Sequence, residues 1–479
     1  MMRRTKMMCT LGPASSSEEV IEALILAGMN VARINFSHGN LDFYRSVINR
    51  VRSVSVRLGI PVGVLQDLQG PKIRTRTMAG NGICLIPGES VVITTKDIEG
   101  TAKRFATQYL DLPKDVKPGE LILLDDGKLS VRCLGVEKKT EILCEVVHGG
   151  LLTSNKGINV PSGGLSTASL TEKDIRDVHF GAKVGVDAVA LSFVRSAEDV
   201  KLLRKELANA KTRPLVFAKI EKQQALDKLE EIVGESDGVM VARGDLGVEL
   251  PLEQVPIAQK RIVSLAIEQG KTVIVATQML ESMITAARPT RAEASDVANA
   301  VLDGADMLML SAETASGEYP IETAKTMDKI IREVEKSDLL RYWRNDVKLL
   351  TSLGQQYQNV TSLAGTRAAE ELGAQAIAVY TGSGSTARLV SGYRPKAPLI
   401  AFVPSLNEQR RLSFSWGVDS DLIVHPSGFE NLVAQINEKL QEKWALVPGN
   451  TVVVLSKVPL KPAPKTNTVH IHTITRPIG

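Results

Sequence analysis

The chain has 479 residues, 43% of them apolar and 23% charged, with a formal net charge of +4. That length exceeds one ordinary domain of ~150 residues, so two or three domains with ample core are expected. Basic residues are interspersed with acids and no run of about 18 apolar residues occurs, which argues against nucleic-acid or membrane partners. Cys9, Cys84, Cys133 and Cys144 sit in apolar patterns without C-x-x-C spacing. They read as buried thiols in a reducing compartment, not as a zinc site or disulfide framework. The opening MMRRTKMMCTLGP is basic but has no apolar stretch before Gly12 and Pro13, so a cytoplasmic location is expected.

From Lys6 the chain alternates short apolar runs with helical patterns: KMMCTL, a helix from about Ser17 to Ala27, then NVARINFS, a βαβ unit. An amphipathic segment from Leu41 to Leu58 leads to GVLQDLQG, which ends in Asp67 and stops at Gly70-Pro71. From Lys72 to about Ser166 the rhythm changes to alternating runs punctuated by PGES, KPGE, DDGK and HGG, the pattern of an inserted all-β domain. Helical periodicity resumes at TEKDIRDVHFGAKVG. Strands follow at DAVALSF, LVFAKIE, DGVMVAR, TVIVATQM and DMLMLSA, with intervening helices that end near Ile331 to Ser337.

Eight such strands suggest a (β/α)8 barrel interrupted after its third strand, or an open doubly wound sheet. Asn35, Asp67, Ser192, Lys219, Glu221, Asp245, Thr277 and Glu313 stand at the ends of seven different strands. Only closure brings them to one mouth, which favours the barrel. The stretch from Val216 to Glu249 carries the chemistry. LVFA ends in K-I-E, and period-2 alternation puts Lys219 and Glu221 on one side of a strand. A helical pattern from Gln223 to about Glu235 follows, and DGVMVA then ends in R-G-D-L-G, whose glycines suggest a tight turn. Two carboxylates and one ammonium at one sheet edge suit Mg²⁺ and a transferring phosphoryl group. Surface turns with solvated charges are the alternative for either motif taken alone.

After a polar connection around Asp346 to Gln358, a third, α/β domain begins, with strands near AIAVYT, LIAFV, DLIVHP, TVVVLS and TVHIHTI. Its TGSGSTARLVSGYRP follows a strand and opens a helix, so Thr381, Ser383, Gly384, Ser385 and Thr386 could cradle a phosphate with Arg388 nearby. A Gly/Ser-rich turn with a helix cap reads equally well there.

The strings TLGPAS, NVARINFSHG, LQDLQGPKIR, LLDDG, GINVP, LSFVR, AKIE, VMVARGDLGVEL, VATQMLESM and PTRAEASDVANAVLDGADMLMLSAETASGEYP resemble the pyruvate kinase family of bacterial type. The resemblance implies an α/β chain: a (β/α)8 TIM barrel over 1–69 and 167–340, an inserted β-barrel-like lid over 70–166 and a C-terminal α/β regulatory domain over 345–479. It also implies a homotetramer that converts phosphoenolpyruvate and ADP to pyruvate and ATP. By the same resemblance, Glu221 and Asp245 ligate Mg²⁺ or Mn²⁺, Lys219 neutralises the migrating phosphoryl group, and Arg33 holds phosphate. Ser192, Phe193 and the backbone of Gly244 and Asp245 bind substrate. Thr277 stands closest to the proton delivered to the enolate, with Ser311 and Glu313 completing a relay. Arg33, His38 and Arg74 contact the nucleotide. Asn35, Ser37, Asp67 and the backbone of Leu68 match a monovalent-cation site.

Lys72 departs from the glutamate that many members carry in a potassium-requiring site. An ammonium near Asn35, Ser37 and Asp67 would supply the field of K⁺ internally, so no potassium requirement is expected. A phosphorylated activator at Thr381 to Thr386 is expected too. LSKVPLKPAPKTN lacks the glycine-rich composition of members that bind fructose 1,6-bisphosphate, which leaves AMP or a sugar monophosphate ahead. A metal-dependent barrel aldolase or lyase would also want two carboxylates and a cation, but needs no lid or second phosphate site.

Overall fold

Eight runs dominated by Val, Ile, Leu, Ala and Met become the strands of a closed, all-parallel barrel. They are β1 (Lys6–Leu11), β2 (Val31–Asn35), β3 (Gly63–Asp67), β4 (Ala188–Leu191), β5 (Leu215–Ile220), β6 (Gly238–Ala242), β7 (Thr272–Ala276) and β8 (Met307–Leu310), with β1 paired to both β2 and β8. In the computed structural model the described residues are 3–161, 167–337, 339, 356–460 and 465–476. The expected boundaries at 166, 340 and 345, and the start of the polar connection at Asp346, lie outside them.

Alternation along each strand decides what faces inward. Met8, Val31, Leu65, Phe217, Ile274 and Met307 belong to one fully buried cluster inside the barrel, while the intervening residues pack on the helices outside. The lower end of the lumen is closed by Phe414 of the C-terminal region, whose ring centroid lies 5.5 Å from that of Phe217. Several of the connecting helices start on side-chain caps: Ser17 accepts from Val20 N, while Thr171 and Thr290 form reciprocal capping boxes with Asp174 and Glu293.

Two helical readings change. The pattern from Gln223 to Glu235 is two helices, Gln223–Asp227 and Leu229–Glu235, broken at Lys228. R-G-D-L-G is no tight turn, because Arg243–Glu249 is a helix that begins directly after β6.

Between β3 and the helix Glu172–Val184 the chain builds its own six-stranded sheet over a separate core. Its longest strands, Leu129–Glu137 and Glu141–His148, pair antiparallel. Cys9, Cys133 and Cys144 are buried as expected, but Cys84 is exposed, since it points out of the short strand Ile83–Leu85 between two buried neighbours.

The C-terminal region is a five-stranded sheet in the order β11-β10-β9-β12-β13. The strands are β9 (Ala376–Tyr380), β10 (Leu399–Val403), β11 (Val418–Leu422), β12 (Thr451–Ser456) and the antiparallel β13 (Thr468–Thr473). β11 occupies VDSDL, three residues before the expected DLIVHP.

Lys6 ties the barrel floor to this region, donating from Nζ to Val418 O at 2.7 Å. Burial brings its ammonium down to about 8 from the ordinary 10.5, only partly opposed by Asp419. The unfolded chain therefore binds more protons between those values, so this group makes stability rise with pH from about 8 to about 10.5. Lys6→Met is expected to leave the melting temperature at pH 7 unchanged or higher and to abolish that part of the rise. Thermal melts from pH 7 to 10.5 check it.

Candidate active site

The alternation that fills the lumen also sets what crowns it. Two residues above Met8, Val31, Leu65, Ala190, Phe217 and Met309 stand Thr10, Arg33, Asp67, Ser192, Lys219 and Ser311, so strand period alone carries polar groups to the mouth. Lys219 is their centre. Its Nζ lies 2.7 Å from Glu221 Oε1 and 3.4 Å from Asp67 Oδ1, and donates to Ser192 Oγ at 2.8 Å. Arg33 Nε bonds the other oxygen of Asp67 at 2.7 Å, and its NH1 donates to Thr10 Oγ1 at 2.9 Å. Ser192 Oγ passes on to Leu68 O at 2.7 Å.

The charges are strongly coupled. Burial would discharge Lys219, but Asp67, Glu221 and Asp245 outweigh it and hold the ammonium above its ordinary range. Burial would likewise raise Asp67, yet Lys219 and Arg33 pull it below the usual carboxylate range. Glu221 goes up: burial and the neighbouring charge of Asp245 exceed the help from Lys219.

Backbone strain gathers at the same rim. Phe193 has φ +55° and Thr277 φ +69°, positions that L-residues seldom adopt. The first lets Phe193 N donate to Glu221 Oε2 at 2.7 Å. The second places Thr277 Oγ1 where it accepts from Gly244 N at 2.8 Å and donates to Ala276 O at 2.6 Å. Arg243 clamps that turn through Thr277 O at 2.6 Å and pairs with Asp296 at 2.7 Å.

Ser311 Oγ is buried without a hydrogen bond among the described residues. Glu313 accepts from Ser311 N at 2.6 Å and Leu280 N at 3.3 Å, so both its oxygens brace backbone. Beside them an open cleft of about 840 Å³ is lined by Arg33, Asn35, His38, Phe43, Thr277 and Ser311 among others.

Other expected residues are placed differently. Asn35 accepts from Ser37 N at 3.1 Å and flanks Asp67 across the β2–β3 pair. Arg74 is held within the lid by Asn155 O at 2.9 Å. Lys72 does not join Asp67: its Nζ lies 3.9 Å from Asp126, and it lines the gap between lid and barrel with Phe193, Lys222 and Asp245. The reversal at Gly70 (φ +68°) and Pro71 carries it there. In the C-terminal region Gly384 adopts φ +73° and the helix Ser385–Gly392 follows. Thr386 is tied to Thr466 at 2.6 Å, and Ser383 Oγ donates to Ser385 Oγ at 3.2 Å. Arg388 stays beside the loop, donating to Ser383 O at 3.1 Å, and burial lowers its pKa, with Arg411 adding to the shift and Asp237 and Glu408 opposing it.

Residues 2–324 match the family model described as pyruvate kinase, barrel domain, and residues 359–472 match the one described as pyruvate kinase, alpha/beta domain. The chain belongs to the pyruvate kinase family. It is 44% identical to a pyruvate kinase of Mycobacterium intracellulare over 99% of both chains, and 44% identical to that of Corynebacterium glutamicum over 98% of both. A crystal structure of a pyruvate kinase from Cryptosporidium parvum superposes with a TM-score of 0.91 at 32% identity, covering 99% of this chain and 96% of that one.

Pyruvate kinases generally use Mg²⁺, and the mouth fits such an ion. Glu221 Oε1 and Asp67 Oδ1 are buried and, among the described residues, face only the Lys219 ammonium, at 2.7 and 3.4 Å, which leaves lone pairs on both carboxylates for a cation. A cation also relieves the repulsion between Glu221 and Asp245. No cluster of three or more His, Cys, Asp or Glu that could hold a metal ion occurs among the described residues.

Two residues of this pyruvate kinase site escaped sequence reading, Thr10 and Arg243. Thr10 stands two residues above Met8, where strand period could have found it, whereas the arginine of R-G-D carries no spacing signal. Only closure of β1 onto β2, and the kink at Thr277, make them partners.

Proposed function

We propose that the chain transfers the phosphoryl group of phosphoenolpyruvate to ADP, giving ATP and pyruvate, the last step of glycolysis. The observation that carries this reading is the Lys219 ammonium, kept charged beneath the barrel mouth by three carboxylates and aimed where a phosphoryl group would cross. Glu221 and Asp245 hold the divalent ion, Mg²⁺ or Mn²⁺, which when bound supplies Lewis-acid stabilisation of phosphoryl and enolate oxygens. Lys219 and Arg33 offset the charge that develops on the migrating group, Arg33 as a planar fork braced by Asp67 and Thr10. Ser192 and Phe193 border the substrate, whose carboxylate lies at the N-terminus of the helix Arg243–Glu249, against Gly244 and Asp245. A proton then reaches the enolate from the side of Thr277. Its hydroxyl is far too weak an acid to act alone, so the unpartnered hydroxyl of Ser311, positioned by Glu313, and water complete the path. His38 and, from the lid, Arg74 receive the nucleotide. A coupled assay tests the whole: pyruvate must form one for one with the ADP consumed, and only when divalent metal is present. Pyruvate released without ADP would favour a lyase.

A second element of the proposal, independence from potassium, rests on the reversed charge of Lys72 between lid and barrel and not on contact with Asp67, which the ammonium does not join. Its fixed positive charge stands in the gap that the lid closes, although its ion-pair partner is Asp126. In tetramethylammonium buffer, adding KCl at fixed ionic strength is expected to change turnover less than tenfold, and Lys72→Glu to create a potassium response. A larger rise in the unmodified protein refutes this.

The turn from Thr381 to Thr386 supports a site for a phosphorylated activator, with Gly384 and the helix start after it presenting N–H groups; a homotetramer in the cytoplasm is proposed with it on the family resemblance alone. Substrate saturation curves with AMP, a sugar monophosphate and fructose 1,6-bisphosphate identify the ligand. Coupling of about 1–3 kcal/mol is typical of such regulation. Replacing Ser383 and Ser385 by glutamate is expected to abolish activation.

A further inference from the structure

Lys222 and Glu249 have no task in this reaction scheme. Lys222 follows Glu221 directly after β5, and Glu249 follows Asp245 by four residues on the helix Arg243–Glu249, so that Asp245 and Glu249 share a helix face. The two residues therefore stand one on each of the segments that carry the carboxylates assigned to the divalent ion. They meet: Lys222 Nζ lies 2.9 Å from Glu249 Oε1, with side chains only 12% and 3% exposed. A charge-assisted hydrogen bond so shielded from water holds its geometry where an exposed pair would not.

Two further contacts converge on the pair. The Lys222 ammonium stands 5.8 Å from the centre of the Phe193 ring, within cation–π range. Phe193 is the residue whose strained backbone N–H holds Glu221 Oε2. From the lid, Asn159 Nδ2 reaches the same Glu249 oxygen at 3.4 Å.

We propose that the Lys222–Glu249 pair is a strut that sets the separation and orientation of Glu221 and Asp245 for the divalent ion. Phe193 is its second arm and Asn159 rests on it. Both members are positioning residues, and the proposal rests on the assignment of the ion to Glu221 and Asp245.

The test is Mn²⁺ binding to the full chain without substrate, read from the electron paramagnetic resonance signal of free Mn²⁺. Lys222→Met discriminates, because removing a cation beside a metal site tightens binding if only the electric field matters. The strut requires the opposite, a loss of about tenfold, the scale of changes in groups that orient metal ligands. Glu249→Gln is expected to lose a similar factor, and the double variant no more than the worse single one, since the pair acts as a unit. Lys222→Arg, which keeps the charge and the reach, is expected to restore affinity to within about threefold of the unmodified chain. Asn159→Ala is expected to change it less than twofold. Unchanged or tighter binding in Lys222→Met, or losses that multiply in the double variant, overturn the strut. A loss at Asn159→Ala equal to that at Glu249→Gln overturns it too, by moving the determinant to the lid. Asp245→Asn is the control. If that variant binds Mn²⁺ normally, the metal assignment fails and takes the strut with it; if it loses Mn²⁺ while Lys222→Met does not, the strut alone fails.

Discussion

Lys219→Met is expected to lower turnover about 100-fold or more while leaving Mn²⁺ binding at least as tight and the KM for phosphoenolpyruvate within tenfold. Methionine nearly matches the volume of lysine, so the buried walls around it stay filled. What is lost is a charge that Asp67, Glu221 and Asp245 hold in its protonated form. In the ground state the substrate's phosphate and carboxylate are also met by Arg33 and the start of the helix Arg243–Glu249. As the phosphoryl group leaves, negative charge builds on the enolate oxygen, and the ammonium answers it together with the divalent ion. The effect therefore belongs in kcat. Steady-state kinetics with a separate Mn²⁺ titration measure it, and a fall of less than tenfold would sink the role given to Lys219.

Much of this site was legible because strand period propagates. Once LVFAKIE is a barrel strand with Phe217 inside, Lys219 and Glu221 have no other direction to take, and the same holds for Arg33 above Val31 and Asp67 above Leu65. Closure followed from polar residues on seven strand ends, which the barrel order bears out. The failures came where local sequence underdetermines direction. Glycine permits a turn at R-G-D-L-G without requiring one, and the chain there takes the helix that β6 feeds. Lys72 is five residues from Asp67 in sequence, but the reversal at Gly70 and Pro71 aims it across the gap at Asp126. Arg388, expected near the glycine-rich loop, does reach it through Ser383 O.

Glu221→Gln is expected to produce the largest loss, weakening Mn²⁺ at least about 100-fold and lowering turnover at least about 1,000-fold. The amide can keep one partner only. With its oxygen on Phe193 N, its NH₂ group faces the Lys219 ammonium that now sits 2.7 Å from Oε1; flipped, it leaves the strained N–H of Phe193 without an acceptor. Neither arrangement offers the anionic oxygen that a hard divalent ion needs. Stability is expected to change little. The Glu221 carboxyl titrates above its ordinary range because burial, and the charge of Asp245, penalise its ionised form. The folded chain then binds more protons than the unfolded one as pH rises from the ordinary value to the raised one, so that stability falls through this window and the full penalty persists above it. Glutamine removes the penalty at pH 7 but also the ion pair with Lys219, so the two changes oppose each other and the metal-free variant should melt within a few degrees of the metal-free parent. Paired melts and Mn²⁺ titrations decide it: a variant that loses activity together with far more than a few degrees of melting temperature would make Glu221 a structural carboxylate, whereas loss of metal at little-changed stability marks a group that the fold retains for catalysis.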